Sequence, residues 1–300
     1  MAMLNAERET TAPALIGAGG ALITVMVWTA WLLATRYSAT TSLGAIDLSL
    51  LRYGIPALVL TPVWLRTGLL PKGKPKLPLL LMVIGSGAPF FQIAAYGLHA
   101  TPASAAGVLL PGAMPLATAL IGMAVLGERP DATRKLGMFA IFLGGLILLL
   151  AGAATGTLGW RSYVVLPIAA TCWAIYSHAF RHSGLSATEG GALICVWSTI
   201  INLVLAALFG THLFTASIAE ITPQIISQGI LSGLVATLAY GTAIRILGST
   251  RAAAFTALTP VSAAIGGALI LGEDLGIAGI AATIVTGLGV MLSTGILSRR

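Results

Sequence analysis

The sequence predicts an all-α integral membrane protein, with ten transmembrane helices arranged as two inverted five-helix repeats. Three observations carry that prediction. Apolar runs long enough to cross a bilayer follow one another, separated by short polar breaks. Lysine and arginine collect in alternate breaks, hence on one side. One stretch of the chain is also written twice, 145 positions apart.

Composition excludes the soluble classes. The chain has 300 residues, 57% hydrophobic and only 8% charged, where soluble domains carry about a quarter charged residues. The mean hydropathy of +0.96 and the 36 glycines suit membrane helices, which tolerate glycine that soluble helices avoid. A net charge of +7 raises the question of nucleic acid. The basic residues, however, stand singly or in short groups between apolar runs, never as a stripe interleaved with aromatics. The expected partners are therefore the lipid bilayer and a small molecule, with no nucleic acid. Cys172 and Cys195 both lie inside apolar runs, so neither a disulfide framework nor a metal site is expected, and no motif asks for a cofactor. The polar start, with Glu7 and Glu9, is unlike the basic start of a cleaved signal peptide. Residues 1–12 are expected as a cytoplasmic tail.

A helix needs about 20 apolar residues to cross a bilayer. In order, the candidate spans are 13–35, 46–65, 77–98, 102–126, 136–154, 163–180, 190–209, 222–243, 250–272 and 277–297. Breaks such as "RTGLLPKGKPK", "GERPDATRK", "RHSGLSATEG" and "LGEDLG" separate them. Between the third and fourth spans only Pro102, in "HATPA", marks a stop. With the N-terminus inside, Arg8, Arg66, Lys72, Lys74, Lys76, Arg129, Arg134, Lys135, Arg181, Arg245, Arg251, Arg299 and Arg300 fall on the cytoplasmic side. Arg36, Arg52 and Arg161 alone fall on or toward the other side, a strong positive-inside bias that places both termini in the cytoplasm.

The repeat reads "PLATALIGMAVLGERP" at 115–130 and "PVSAAIGGALILGEDL" at 260–275, with Pro115/Pro260, Gly122/Gly267 and Leu-Gly-Glu shared in place. "VWTAWLLATRY" (27–37) and "CWAIYSHAFRH" (172–182) align at the same offset, matching Trp28 to Trp173, Trp31 to Tyr176 and Arg36 to Arg181. "AAYGLHA" (94–100) and "LAYGTAI" (238–244) align at 144. Three blocks in one order argue duplication, with repeats at 13–154 and 163–297. Five spans per copy is an odd number, so the second copy enters from the opposite face. Such inverted repeats are characteristic of secondary transporters and predict alternating access.

Ten spans in a 5+5 array, with "LGERP" after the fourth and "LGED" after the ninth, resemble the EamA-type carriers of the drug/metabolite transporter superfamily. The resemblance covers essentially the whole chain and looks closest to YddG-like bacterial exporters of amino acids, aromatic ones especially. It implies that spans one, three, four, six, eight and nine surround a central cavity, with two, five, seven and ten outside. It also implies a bacterial-type inner membrane and an amino-acid cargo. The second turn departs from the first, with Asp274-Leu275 where the first has Arg129-Pro130, so no binding role is read into it.

Prolines inside apolar spans free backbone carbonyls, and broken helices are tolerated where they line polar cavities. Pro89, Pro111, Pro115 and Pro260 are the candidate hinges or helix breaks, and Pro56 and Pro62 interrupt the second span. "GSGAPFFQ" (85–92) is the densest such site, offering Ser86 and Gln92. Tyr96 follows Gln92 by four and shares its helical face. Trp28 with Trp31, Trp173 with Tyr176, and Tyr240 recur in matching positions of the two halves. The candidate substrate-binding set is thus Trp28, Trp31, Ser86, Gln92, Tyr96, Trp173, Tyr176 and Tyr240, expected to converge near the midplane. Aromatic rings would hold apolar side chains and face an ammonium group. No carboxylate stands at a span centre, which argues against cationic-drug antiport. His99 and His178 are the other candidates for proton coupling, and both lie near span ends. Arg52, inside the second span, is expected to snorkel to the interface. The small-residue rows Ala140/Gly144 and Gly279/Thr283/Gly287 are expected as helix-packing faces; they leave monomer and dimer open.

Among rival classes, an intramembrane enzyme would need an embedded HExxH pair, paired aspartates or a G-x-S-x-G elbow, and none is written here. A channel stays open as an alternative, as do carriers of nucleotide sugars or cationic drugs. An interior expected to lack Lys and Arg disfavours highly phosphorylated cargo.

Overall fold

The computed structural model describes residues 2–156, 158–247 and 254–294. Arg251, Arg299 and Arg300, used above for orientation, lie outside the described residues. The described chain is helical throughout. The first half comprises α1 (Ala2–Ser38), α2 (Ala45–Val59), α3 (Thr61–Thr67), α4 (Lys76–Ser86), α5 (Ala88–Leu98), α6 (Ala103–Leu109), α7 (Met114–Leu126) and α8 (Ala132–Thr155). The second comprises a π-helical turn Arg161–Val165 running into α9 (Leu166–Ser183), α10 (Ala187–Phe209), α11 (Ile218–Gln224), a π-helical segment Ile225–Val235, α12 (Ala236–Leu247), α13 (Leu258–Leu271) and α14 (Gly276–Ser293).

Seven of these stretches are long and apolar enough to span a bilayer, and eight if the bent pair α2–α3 is one span. The chain is a multi-pass membrane protein. The remaining expected spans differ for local reasons. The second bends by 74° between α2 and α3, where Pro56 lies inside one helix and Pro62 opens the other. The eighth is interrupted by its π-helical segment, and α13 has only 14 residues. The first helix, in turn, continues back to Ala2 through the expected tail.

At two of the proline breaks the freed backbone groups find new partners. Gly87 separates α4 from α5 in an extended conformation, and the freed Ala88 N–H donates to Ser198 Oγ on α10 at 2.9 Å. Pro89 then opens α5, where its missing N–H costs nothing. The fourth span breaks at Leu110–Ala113 around Pro111, with Gly112 N–H reaching back to the Gly107 carbonyl at 2.9 Å. Pro115 opens α7, and Pro260 is buried in the first turn of α13.

Packing repeats itself when the halves are exchanged. α1 packs on α12 and the π-helical segment before it as α9 packs on α5 and α4, and α1 packs on α13 as α9 packs on α7. The pairs α2–α10 and α8–α14 each map onto themselves. The α8–α14 contact needs small residues: a Cβ on Gly137 would sit 2.4 Å from Ser293 N, and one on Gly289 would sit 2.7 Å from Ile141 N. Backbones brought this close gain the van der Waals contact that drives helix association in lipid. Ala140 and Gly144 lie on this internal face, whereas Gly287 approaches the Ala257 carbonyl.

Candidate functional site

Trp28 and Trp31 are three residues apart on α1, so both turn inward together. Trp28 meets Trp173 of α9 edge-on, with centroids 5.9 Å apart, and Tyr240 of α12 at 5.9 Å. Trp31 stacks on Phe90 at 6.4 Å, and Phe90 reaches Trp173 at 5.6 Å. These rings from both halves enclose two connected spaces. A vestibule of about 970 Å³ is lined by Trp28, Trp173, Tyr240, His178 and the polar rim Glu128, Arg129, Arg134 and Arg181. An inner pocket of about 20 Å³ shares Trp28, Pro111, Met114 and Trp173 with it and is closed by Trp31, Arg52, Phe90 and Thr259.

The structure brings Trp28, Trp31, Trp173 and Tyr240 together, along with Pro111 and Pro115. It puts the other candidates elsewhere. Gln92 Nε2 donates to Asn202 Oδ1 at 3.0 Å, tying α5 to α10. Tyr96 is exposed, leaning on Trp160 at 6.3 Å with the Arg161 guanidinium 4.3 Å over its ring. Tyr176 backs Trp173 at 5.1 Å and continues to Phe180. At Ser86 the carbonyl accepts from Tyr53 at 2.7 Å. Thus the expectation of one converging set is corrected: polar Gln92 finds its partner within the protein, and the ring two positions before it, Phe90, faces the pocket. Pro89 caps a helix start rather than lining the cavity.

Arg52 is a second correction. It does not snorkel to the interface. Its guanidinium lies over the Trp31, Tyr53 and Phe91 rings at 5.1, 5.8 and 5.7 Å, and Nη1 donates to Ser232 Oγ at 2.6 Å. The cavity interior therefore holds a fixed cation. Arg52 of α2 joins the lining beside residues of α1, α5, α7, α9, α12 and α13, and Met138 of α8 and Ser293 of α14 line the vestibule too, although α2, α8 and α14 belong to spans expected outside.

The first of the duplicated Leu-Gly-Glu turns lines the vestibule through Glu128, and the second closes onto Arg36 beyond the inner pocket. Gly127 and Gly272 adopt left-handed φ of 66° and 67°, and Glu128 N–H and Glu273 N–H bond back to Gly122 and Gly267 carbonyls at 3.0 and 3.1 Å. Each carboxylate folds over the matched glycine: a Cβ on Gly122 would lie 2.5 Å from Glu128 Oε2, and one on Gly267 would lie 3.0 Å from Glu273 Oε2. Each glutamate then reaches an arginine of the other half. Glu273 accepts from Arg36 Nε at 3.1 Å and from Ala103 N–H, a free donor at the start of α6, at 2.5 Å. Arg36 Nη1 also donates to the His99 carbonyl at 2.6 Å, and Ser38 Oγ meets His99 Nε2 at 2.9 Å. These side chains are only 28% and 15% exposed. The mirrored pair, Arg181–Glu128, stands at 3.7 Å with 66% and 48% exposure, where solvent leaves an ion pair little strength. One end is latched; the other is open onto the vestibule. Both arginines and both glutamates are identities of the repeat, so the signal for these pairs was present in the sequence.

His178 also faces the vestibule, with Nε2 at 3.0 Å from the Thr118 carbonyl. Among the described residues no group of three or more His, Cys, Asp or Glu side chains could hold a metal ion.

Comparison with known proteins agrees with this architecture. No curated protein matches the chain by sequence. A solved crystal structure, described only as that of a protein, shares the fold at a TM-score of 0.65 and 20% identity, covering 94% of this chain and 96% of that one. The EamA-like transporter family matches twice, over residues 15–150 and 160–295, one match for each half. The chain belongs to the EamA-like transporter family.

Proposed function

We propose that this transporter is an alternating-access carrier of ten spans in two inverted repeats, and that it exports small metabolites, with amino acids, aromatic ones included, as cargo. The observation that carries the reading is the unequal state of two equivalent ends. Arg36–Glu273 and Arg181–Glu128 occupy matching positions, yet one pair is latched and half-buried while the other is loose and exposed. Inverted halves that exchange conformations would exchange these states, opening one side as the other closes. A channel would need both ends open at once. The aromatic walls supplied by both halves support the choice of cargo, since rings offer apolar contact to a side chain and π-faces to an ammonium. With the charge bias of the loops as guide, the open vestibule faces the cytoplasm, the loading side for export.

The test is counterflow with the purified protein in liposomes. Vesicles preloaded with unlabelled phenylalanine should accumulate labelled phenylalanine transiently and saturably, faster than empty vesicles. Flux that rises linearly with concentration and ignores internal substrate would indicate a channel. Counterflow of nucleotide sugars or cationic drugs alone would replace the amino-acid cargo.

A further inference from the structure

An arginine inside a membrane protein calls for a partner or a polar cavity, and among the described residues Arg52 has no counter-charge. It sits about 10 Å along α2 from the helix start, by the helical rise. Its ring contacts soften the charge without neutralising it. Ser232 accepts one of the five N–H donors of its guanidinium.

Two further polar groups on the same pocket lack partners among the described residues. Trp31 Nε1 and Thr259 Oγ1 are buried without a hydrogen bond, in side chains 6% and 0% exposed. Both residues line the inner pocket with Arg52. Buried polar groups are nearly always satisfied, so three groups left wanting around one small space point to a missing acceptor. One guanidinium and two neutral donors balance a single negative charge. A planar carboxylate matches the guanidinium fork, whereas a doubly charged phosphate would leave charge uncompensated in a low-dielectric site.

We propose that the closed end of the cavity is a carboxylate subsite, in which Arg52, Trp31 Nε1 and Thr259 Oγ1 hold the acid group of a small aromatic or apolar cargo. The cargo's body then lies between Trp28, Phe90 and Trp173, and an ammonium, when present, points toward Tyr240 and the vestibule. This deepens the carrier reading and rests on it. It also corrects the expectation that the interior lacks Lys and Arg, since Arg52 lines the inner pocket.

The test uses the full-length protein and three probes of one shape. L-phenylalanine carries both charges, 3-phenylpropionate only the carboxylate, and phenethylamine only the ammonium. Wild type should bind the first two, and phenethylamine at least about tenfold more weakly, as expected for a lost charge-assisted bond. Arg52→Gln should abolish that discrimination, Arg52→Lys should restore part of it, and Thr259→Val should lower it several-fold. Wild type that binds phenethylamine as tightly as phenylalanine overturns the subsite. So does an Arg52→Gln protein that still discriminates as wild type does. Should Arg52→Gln not fold, Thr259→Val decides: reduced discrimination supports the subsite, and unchanged discrimination overturns it. Counterflow separates the two readings. A protein that carries phenylalanine but fails these probes loses the subsite and keeps the carrier; one with no counterflow of any cargo loses the carrier.

Discussion

Withdrawing the Gln92 carboxamide strands a neighbour. Asn202 is fully buried; its amide donates to Ser49 Oγ at 2.8 Å and the Ser198 carbonyl at 2.7 Å, and its oxygen accepts from Gln92. Gln92→Ala should therefore cost about 1–3 kcal/mol of stability, seen as earlier thermal unfolding in detergent. The phenylalanine KM of the molecules that stay folded should not move. Trp28→Ala should do the reverse, raising KM for phenylalanine roughly tenfold and for threonine less, because the lost contact is apolar ring area. A larger KM change from Gln92→Ala than from Trp28→Ala would contradict the placement of both residues. This is also where sequence reading reached its limit. Polarity within an apolar run marks a residue that needs a partner; it does not say whether the partner is substrate or protein. Gln92 was satisfied by Asn202, 110 positions away. Arg52 looked like an interfacial snorkeller because nothing in one dimension reveals that Trp31 and Ser232 close over it.

At the scale of elements, the latch joins four pieces: the end of α1, the turn before α14, the end of α5 and the start of α6. Glu273→Gln keeps the shape and removes the charge, so a cysteine placed at exposed Thr40 should become more reactive to a membrane-impermeant reagent. Glu128→Gln should do far less, since its pair is already loose. Equal effects from the two substitutions would contradict the asymmetry. The latch should also loosen in acid. His99 is half-buried against Arg36, and its pKa is held below the ordinary histidine value, by burial first and by the Arg36 charge second. Protonating it is thus costlier in the latched arrangement than in water. The contribution of neutral His99 to closure is fully present above about pH 6.5, the ordinary histidine value, and is lost as pH falls through the lowered one. Reactivity at Thr40 should rise over that window and stay flat in His99→Gln. At this scale the sequence was legible in part. Matching of Arg36 to Arg181 and of Glu128 to Glu273 placed the latch residues at one offset; only the folded chain showed that each arginine pairs across the halves. The 74° bend at α2–α3 was foreshadowed by Pro56 and Pro62, though its angle depends on packing against α10.

For the whole molecule, class and organisation were the most legible features, because bilayer thickness and period constrain long apolar runs more tightly than any local propensity. The duplication was written in the sequence, and the packing obeys it: exchanging the halves returns the same helix neighbours. What one dimension lacked was the state. A repeat predicts two equivalent ends but not which one is closed. The central claim is that these ends open in alternation, and paired spin-label distances test it most directly. With Cys172 and Cys195 replaced by alanine, one pair of labels at exposed positions 40 and 274 reports the latched end, and another at 129 and 182 reports the open end. Saturating phenylalanine should lengthen the first distance as it shortens the second, in a single anticorrelated exchange. Both distances lengthening together, or neither moving while counterflow proceeds, would contradict it.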